Sequence, residues 1–326
     1  MSCQSAEPNA AAGPNLIRPT LEETVCNLCG GSNTQKLYLG FEHRYFHDET
    51  AWQVVRCKAC SLAYVNPRPA MSSMAAYYPT RYDDERAEAT QDLRYKFQLG
   101  FLRDLPKGKL LDVGCARGDW MLFPQREGWE VFGIEPGGAD KNPHGLPIVS
   151  SAFPDPGLLG SSQYDVVTAW AVIEHLHDPM GAIKRVRALL RPGGRAIFMV
   201  PNMNSVASRF AFAEDLPRHL YFFSEKTLRT YGEATGLRLD RVDQCPQFFN
   251  GLGQGILRLR AYGSSINERR DWFRFIQKPI RARFSCSPRR AVIDTACAAV
   301  EKAVLRPALI KALKASGHIV AVFTAI

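Results

Sequence analysis

An α/β fold, with a parallel sheet covered on both faces by helices, is predicted by three features of this sequence. Residues 107–250 alternate short apolar runs with runs of helical periodicity. The first apolar run ends in a glycine turn, Gly114 to Gly118. Two C-x-x-C pairs set residues 21–68 apart as a small front module. Strands that are apolar along their whole length are buried on both faces, which is how parallel sheets with helices above and below read.

In chain order, residues 1–20 are rich in Ala, Pro and Asn and predict a disordered tail. The module over 21–68 holds β-like runs at Gln35–Leu39 and Trp52–Arg56. Residues 70–105 read as mostly helical, with Met71, Met74 and Tyr78 at helical spacing and Leu93, Phe97, Leu99 and Leu102 partly so. Lys109–Val113 is a short buried strand, Trp129–Ile134 a second and Tyr164–Trp170 a third. Asp178–Leu190 carries Met180, Ile183, Val186, Leu189 and Leu190 on one helical face. Arg195–Val200 is a strand after the turn Pro192-Gly193-Gly194. A helix over 224–235 starts at an N-cap serine, with Glu225 near its positive end, and stops at Gly236. Leu237–Val242 is the next strand. Residues 252–316 are basic and helical, interrupted by Pro279, Pro288 and Pro307, and His318–Ile326 is a terminal strand.

The apolar fraction of 46% and charged fraction of 22% are those of a globular protein with a sizeable core. No apolar run reaches the roughly 18 residues of a membrane-spanning helix. The start lacks the basic-then-apolar pattern of a secretory signal, so a cytoplasmic protein is expected. The net charge of +9 owes much to residues 252–316, where ten Lys and Arg between Arg258 and Arg290 face only Glu268 and Asp271. Such a stretch suits a solvated helix face first. An anionic substrate, a carrier protein or a membrane surface are the partners it would otherwise attract, with nucleic acid less favoured.

Of nine cysteines, Cys26, Cys29, Cys57 and Cys60 form the two C-x-x-C pairs. Each such turn points two thiolates at one tetrahedral metal. Two turns close a four-thiolate site with no open position, which predicts structural Zn2+ rather than a catalytic metal. Gly30 and Gly31 allow the tight turn, and His43 and His47 between the pairs are not needed as ligands.

The loop Asp112-Val113-Gly114-Cys115-Ala116-Arg117-Gly118 leaves the first strand at the edge where open α/β sheets bind ligands. Glu135 ends the next strand, about 20 residues further on, at the distance where an acid grips ribose hydroxyls. A dinucleotide loop reads G-x-G-x-x-G, whereas this one is G-x-x-x-G with an acid ahead of it. Asp112 would repel a pyrophosphate but attract the amino group of a sulfonium nucleoside.

With those residues in view, the loop resembles motif I of the class I S-adenosylmethionine-dependent methyltransferases, with Ala116 in place of the middle glycine. Gly133-Ile134-Glu135-Pro136 resembles motif II, and Tyr164 to Pro179 resembles motif IV with its loop. Arg191-Pro192-Gly193-Gly194 resembles the turn before strand five. The resemblance covers about residues 70–250 and the last strand. It implies a Rossmann-like sheet of seven strands with the last antiparallel, and makes 252–316 a helical insertion before that strand. The methyltransferase domain would then be 70–251 plus 317–326. The four-cysteine module followed by Asn66-Pro67-Arg68-Pro69 resembles the front end of a bacterial subfamily serving glycan or secondary-metabolite pathways.

By this resemblance Gly114, Cys115, Ala116 and Gly118 line S-adenosylmethionine with Asp112 close by. Glu135 holds the ribose, Pro136 lies near the adenine, and Trp170, Ala171 and Val172 lie under the methionyl part. Tyr77, Tyr78 and Tyr82 resemble an aromatic segment that caps the cofactor, although packing explains tyrosines there equally well. Cys115 reads as a small turn residue and not a nucleophile, since no acid–base pair accompanies it. His219, in a Pro-x-His-Leu-x-x-Phe-Ser segment, is favoured as base or acceptor contact. His175 and His177 in the loop after Trp170 form the other candidate group, with Glu174 and His175 alternatively fixing that loop. The expected reaction is in-line methyl transfer to a small molecule such as a sugar, lipid-linked glycan or secondary metabolite. An RNA methyltransferase gripping phosphates with the zinc module and basic insertion is the alternative, weakened by the absence of a planar-amine loop after the fourth strand. A non-catalytic binding domain would need a broken pocket, whereas Gly114, Gly118 and Glu135 are present.

Overall fold

The computed structural model describes residues 19–42, 50–78, 88–137, 142–153, 163–205, 215–245 and 316–326. The tail before residue 19, nearly all of the basic stretch 252–316, His43, His47 and Tyr82 lie outside the described residues.

The front part holds strands β1 (Leu21–Glu22), β2 (Thr34–Phe41), β3 (Ala51–Cys57), β4 (Ala63–Val65) and β5 (Arg68–Pro69). Helices α1 (Met71–Met74) and α2 (Glu88–Leu99) follow. Then come β6 (Lys109–Val113), α3 (Leu122–Arg126), β7 (Glu130–Ile134), β8 (Ile148–Val149) and β9 (Tyr164–Trp170). The chain continues through α4 (Pro179–Leu189), β10 (Leu190–Pro201), β11 (Tyr221–Phe222), α5 (Glu225–Thr235), β12 (Leu237–Gln244) and β13 (His318–Ala325).

Seven strands form the main sheet in the order β12-β13-β10-β9-β6-β7-β8. Strands β8, β7, β6, β9 and β10 run parallel, and β13 lies antiparallel between β10 and β12. The seven-stranded sheet with its last strand reversed is therefore as the sequence led us to expect. Side chains alternate between two cores, as the pleat requires. Val167 and Ala169 of β9 join Phe198, Ile183 and Phe323 on one face. Val166 and Trp170 join Ile197, Trp120 and Val322 on the other.

The helices on the first face are anchored at their ends. The Asp178 side chain caps α4 by accepting from the Gly181 N–H at 3.0 Å, with Pro179 at the first helical position. Ser224 and Thr227 make a reciprocal capping box on α5, and Gly236 closes that helix with φ +75°. Several predicted strand boundaries moved. Trp129 is core rather than strand, and β10 starts at Leu190, running through an irregularity at the Pro192-Gly193-Gly194 turn, where Gly193 has φ +76°.

The front module is not a separate bead. Its antiparallel sheet has the order β11-β4-β3-β2, so Tyr221 and Phe222, from the segment after His219, complete it. Arg68 donates through Nη1 to the His177 carbonyl and the Tyr221 hydroxyl, both at 2.8 Å, and through Nε to Glu22 at 2.7 Å. Val55, Leu62 and Tyr64 share a core with Leu228, Tyr231 and Phe223.

Candidate cofactor and acceptor site

The carboxyl ends of β6, β7 and β9 meet at one edge of the sheet. There Gly114 turns the chain with φ +67°, and its N–H donates to the Ile134 carbonyl at 2.8 Å. A Cβ on Gly114 would lie 2.5 Å from a Val172 methyl, so only glycine lets these two loops touch. Gly118 has φ +81°, and a Cβ there would press on Leu146 at 2.8 Å. Ala116, at the position where the resemblance expects glycine, keeps a glycine-like φ of +49°. Its N–H donates to the Glu135 carboxylate at 3.2 Å, joining the loop to the end of β7. Pro136 is exposed beside Glu135, and its carbonyl accepts from the Ser150 hydroxyl at 3.2 Å. Burial pushes the Cys115 thiol up, and the nearby Asp112 and Glu135 add to this, so the sulfur stays protonated and unreactive.

Asp112 is inside the sheet and 3% exposed. Its carboxylate accepts from the Thr168 hydroxyl on β9 at 2.6 Å. Burial nevertheless raises its pKa to about 7. Trp170 packs edge-on against Trp120 at 5.2 Å and is mostly a core residue, while Ala171 and Val172 beyond it are half-buried.

A polar group lies on the loops that leave the same edge. Tyr78 is exposed, and its hydroxyl is 3.1 Å from His175 Nδ1. The same nitrogen is 3.0 Å from the Arg218 carbonyl. A carbonyl only accepts, so the proton sits on Nδ1 and Nε2 keeps its lone pair. Burial, helped by the neighbouring His219, lowers the His175 pKa to about 3, so the ring is neutral at ordinary pH. The His175 and His219 rings stand edge to face at 4.7 Å. The Glu174 carbonyl takes the Leu220 N–H at 2.8 Å, tying this turn to the segment that carries His219. His177 is engaged elsewhere, its Nε2 donating to the Pro69 carbonyl at 2.9 Å. Tyr77, adjacent to Tyr78, is fully buried and packs edge-on against Trp52 at 5.7 Å.

Sequence reasoning missed the support beneath this group. Arg218 is fully buried, paired with Glu42 at 2.9 Å and with Asp215, and donates to the Tyr77 carbonyl at 2.8 Å. An arginine next to a candidate histidine looks like any surface cation, and no local pattern marks it as buried.

The four module thiols converge as their spacing predicts, with all sulfurs within 4.8 Å of one another. Cys26 and Cys60 are 3.4 Å apart, and Cys29 and Cys57 are 3.5 Å apart. Four sulfurs at ~2.3 Å from a tetrahedral zinc stand ~3.8 Å from each other, so the cluster fits that ion with small adjustment. The two knuckles share one backbone form. Cys26 N–H donates to Gly31 O at 2.9 Å and Cys57 N–H to Leu62 O at 2.8 Å. Gly30 and Ser61 occupy the same left-handed position, both at φ +72°.

A family model described as a methyltransferase domain matches residues 81–242, which include the glycine loop, Glu135, His175 and His219. The chain belongs to the class I S-adenosylmethionine-dependent methyltransferases. It is 29% identical over 184 residues to the ubiquinone biosynthesis O-methyltransferase of Vibrio vulnificus strain YJ016, an alignment covering 49% of this chain and 73% of the relative. It is 32% identical over 131 residues to the protein of that name from Vibrio parahaemolyticus, covering 36% of this chain and 54% of the relative. Among solved structures it is similar to the Burkholderia thailandensis 1,6-didemethyltoxoflavin-N1-methyltransferase, with 18% identity and a TM-score of 0.44 over 65% of this chain and 93% of that one. No helix among the described residues of this methyltransferase is long and apolar enough to cross a membrane.

Proposed function

We propose that this methyltransferase acts on a small-molecule acceptor held between the glycine-loop crevice and the Tyr78–His175–His219 group, with structural zinc in the four-cysteine module. Bound S-adenosylmethionine supplies a methyl group already activated on a sulfonium, so the protein's task is placement and proton management. Gly114, Cys115, Ala116 and Gly118 line the donor through their backbone. Glu135 takes the ribose hydroxyls, Pro136 borders the adenine, and Asp112 answers the charge of the amino group. The backbone of Trp170 and the half-buried Ala171 and Val172 lie under the methionyl part, and Tyr78 covers it. On the acceptor side, the His175 Nε2 lone pair and the His219 ring favour loss of the acceptor's proton.

The observation that carries this reading is the pinning of His175 Nδ1 by the Arg218 carbonyl at 3.0 Å, which leaves the other nitrogen able to accept at the sheet's ligand-binding edge. A small acceptor, of the kind the relatives' names indicate, agrees with it. Calorimetric titration of the zinc-replete protein with S-adenosylmethionine, beside a Glu135→Ala variant, tests the donor half. The expected result is binding by the wild type that weakens at least about tenfold in the variant, or ~1.4 kcal/mol. Equal binding by both proteins would remove Glu135 from the site.

A further inference from the structure

We infer that the four-thiol cluster of the front module is a peroxide-responsive site, which exchanges its ion for two disulfides that cross between the knuckles, Cys29–Cys57 and Cys26–Cys60. The inference rests on the structural zinc proposed above. The sulfurs in contact are those of the two crossed pairs: Cys29 and Cys57 stand 3.5 Å apart, and Cys26 and Cys60 stand 3.4 Å apart. A disulfide needs ~2.05 Å, so each pair closes with a movement of roughly 1.5 Å.

Exposure gives the two sulfurs of each pair different tasks. Cys29 is exposed and Cys57 is buried, while Cys60 is partly exposed and Cys26 is buried. Each pair thus joins a sulfur that a small oxidant reaches from solvent to one behind it, the arrangement of a reacting and a resolving cysteine. Gly31 keeps the first pair open on one side. A Cβ there would sit 3.4 Å from the Cys29 sulfur and 3.7 Å from the Cys57 sulfur.

The oxidant is hydrogen peroxide, and the steps balance. Sulfurs that hold an ion are thiolates. The Cys29 sulfur attacks one peroxide oxygen and the O–O bond breaks. This leaves a sulfenic acid on Cys29 and a hydroxide, which takes up a proton as water. The Cys57 sulfur then attacks the Cys29 sulfur. The S–S bond forms, the S–O bond breaks, and the departing hydroxide becomes a second water. Two thiolates are oxidised, one peroxide is reduced and two protons are consumed. Cys60 and Cys26 repeat the sequence with a second peroxide, and the site, left without thiolates, releases the ion. Disulfides within each C-x-x-C pair would leave the two knuckles unjoined. The crossed bonds instead span 28 and 34 positions, one loop nested in the other, and tie the open end of the β2–β3 hairpin, where Thr34 pairs with Cys57. Loops of that length restrain the unfolded chain, so the oxidised module keeps its sheet without zinc.

The test uses the full chain, loaded with zinc and freed of reductant, and adds hydrogen peroxide stepwise. Released zinc is read with a chromophoric chelator. Remaining thiols are alkylated, and disulfides are mapped by mass spectrometry of proteolytic fragments. The expected result is loss of the module's zinc together with both crossed disulfides, Cys29–Cys57 and Cys26–Cys60. Hydrogen-exchange protection over 51–65 should survive in the oxidised, zinc-free protein, and dithiothreitol with added zinc should restore the starting state. Zinc that stays in place under peroxide overturns the inference. So do disulfides within the C-x-x-C pairs, a sulfinic acid on Cys29 with no bond to Cys57, or loss of protection over 51–65 on oxidation. Each of these outcomes leaves the structural zinc standing. A reduced chain that takes up no zinc fails the zinc reading itself, and this inference with it.

Discussion

Asp112 sits where its charge is poorly supported. The carboxyl is 3% exposed, and one hydrogen bond from Thr168 does not offset burial, which lifts its pKa to about 7. Folding therefore takes up a proton between pH ~4 and 7. The stability that goes with the protonated form is complete below ~4 and is lost as pH rises through 7, a difference of roughly 4 kcal/mol. His175 works in the opposite sense, because its folded pKa of about 3 lies below that of the unfolded ring. Its contribution is complete above pH ~6.5 and is lost as pH falls towards 3. The two slopes oppose each other in the window they share. Asp112→Asn should raise the melting temperature at pH 8 and expose the acid-side decline due to His175, seen by thermal unfolding from pH 4 to 8.5. A cationic donor stabilises the ionised Asp112, so wild-type affinity for S-adenosylmethionine should rise with pH through 7, and the Asn variant should lose that dependence. An unchanged pH profile in the variant would show that the carboxyl titrates normally and sits away from the ligand's charge.

At the level of elements, the first knuckle is docked on two helices by one side chain. Asn27 donates to Asp178 at 2.8 Å and accepts from the Met180 N–H at 2.9 Å and the Tyr231 hydroxyl at 3.0 Å. Removing it takes these bonds from a helix N–H and a mostly buried phenol and leaves the Asp178 cap with one fewer donor, so Asn27→Ala should cost about 1–3 kcal/mol in urea unfolding. A loss below about 0.5 kcal/mol would mean that water replaces all three bonds. None of this docking was legible in the sequence, because Asn27 differs from any turn asparagine only in what lies opposite it. The strands at Lys109, Tyr164 and Leu237 were legible because each is an apolar or alternating run bounded by glycine or a polar turn. Strands β4, β8 and β11 are two or three residues long, too short for any period, and exist only through distant partners. The form of the glycine-loop crevice was readable for a related reason. Gly114, Gly118 and Glu135 are fixed by local backbone form and spacing, whereas Arg218 and Glu42 meet across most of the chain. Tyr77 and Tyr78 show the limit most directly: adjacent residues of one type, one buried against Trp52 and one at the surface beside His175.

Across the whole molecule, the cysteine module and the His219 segment share a sheet, which links the four-thiol cluster to the proposed acceptor site. Cys57 ends β3, β3 pairs with β4, and β4 pairs with β11, two residues beyond His219. A second link runs from Glu42, just past β2, to the buried Arg218 that orients His175. A structural zinc site contributes about 10–16 kcal/mol in small domains, as much as the whole stability of a typical fold at ~5–15 kcal/mol. Loss of the ion should therefore unfold the module outright rather than loosen it. The main sheet has its own core on the face of β6, β9 and β10 opposite the module, so the glycine-loop crevice should outlast the His219 segment. Stripping zinc with a chelator under reducing conditions is expected to abolish hydrogen-exchange protection over 51–65 and 215–223, while 109–135 keeps most of its protection. Cys29→Ser, at the exposed ligand, should give a weaker form of the same pattern. Uniform loss over both regions would make the molecule a single cooperative unit. Protection kept at 215–223 after the module unfolds would mean that β11 and Arg218 hold their places without it, and the front module would then serve some purpose other than shaping the acceptor site.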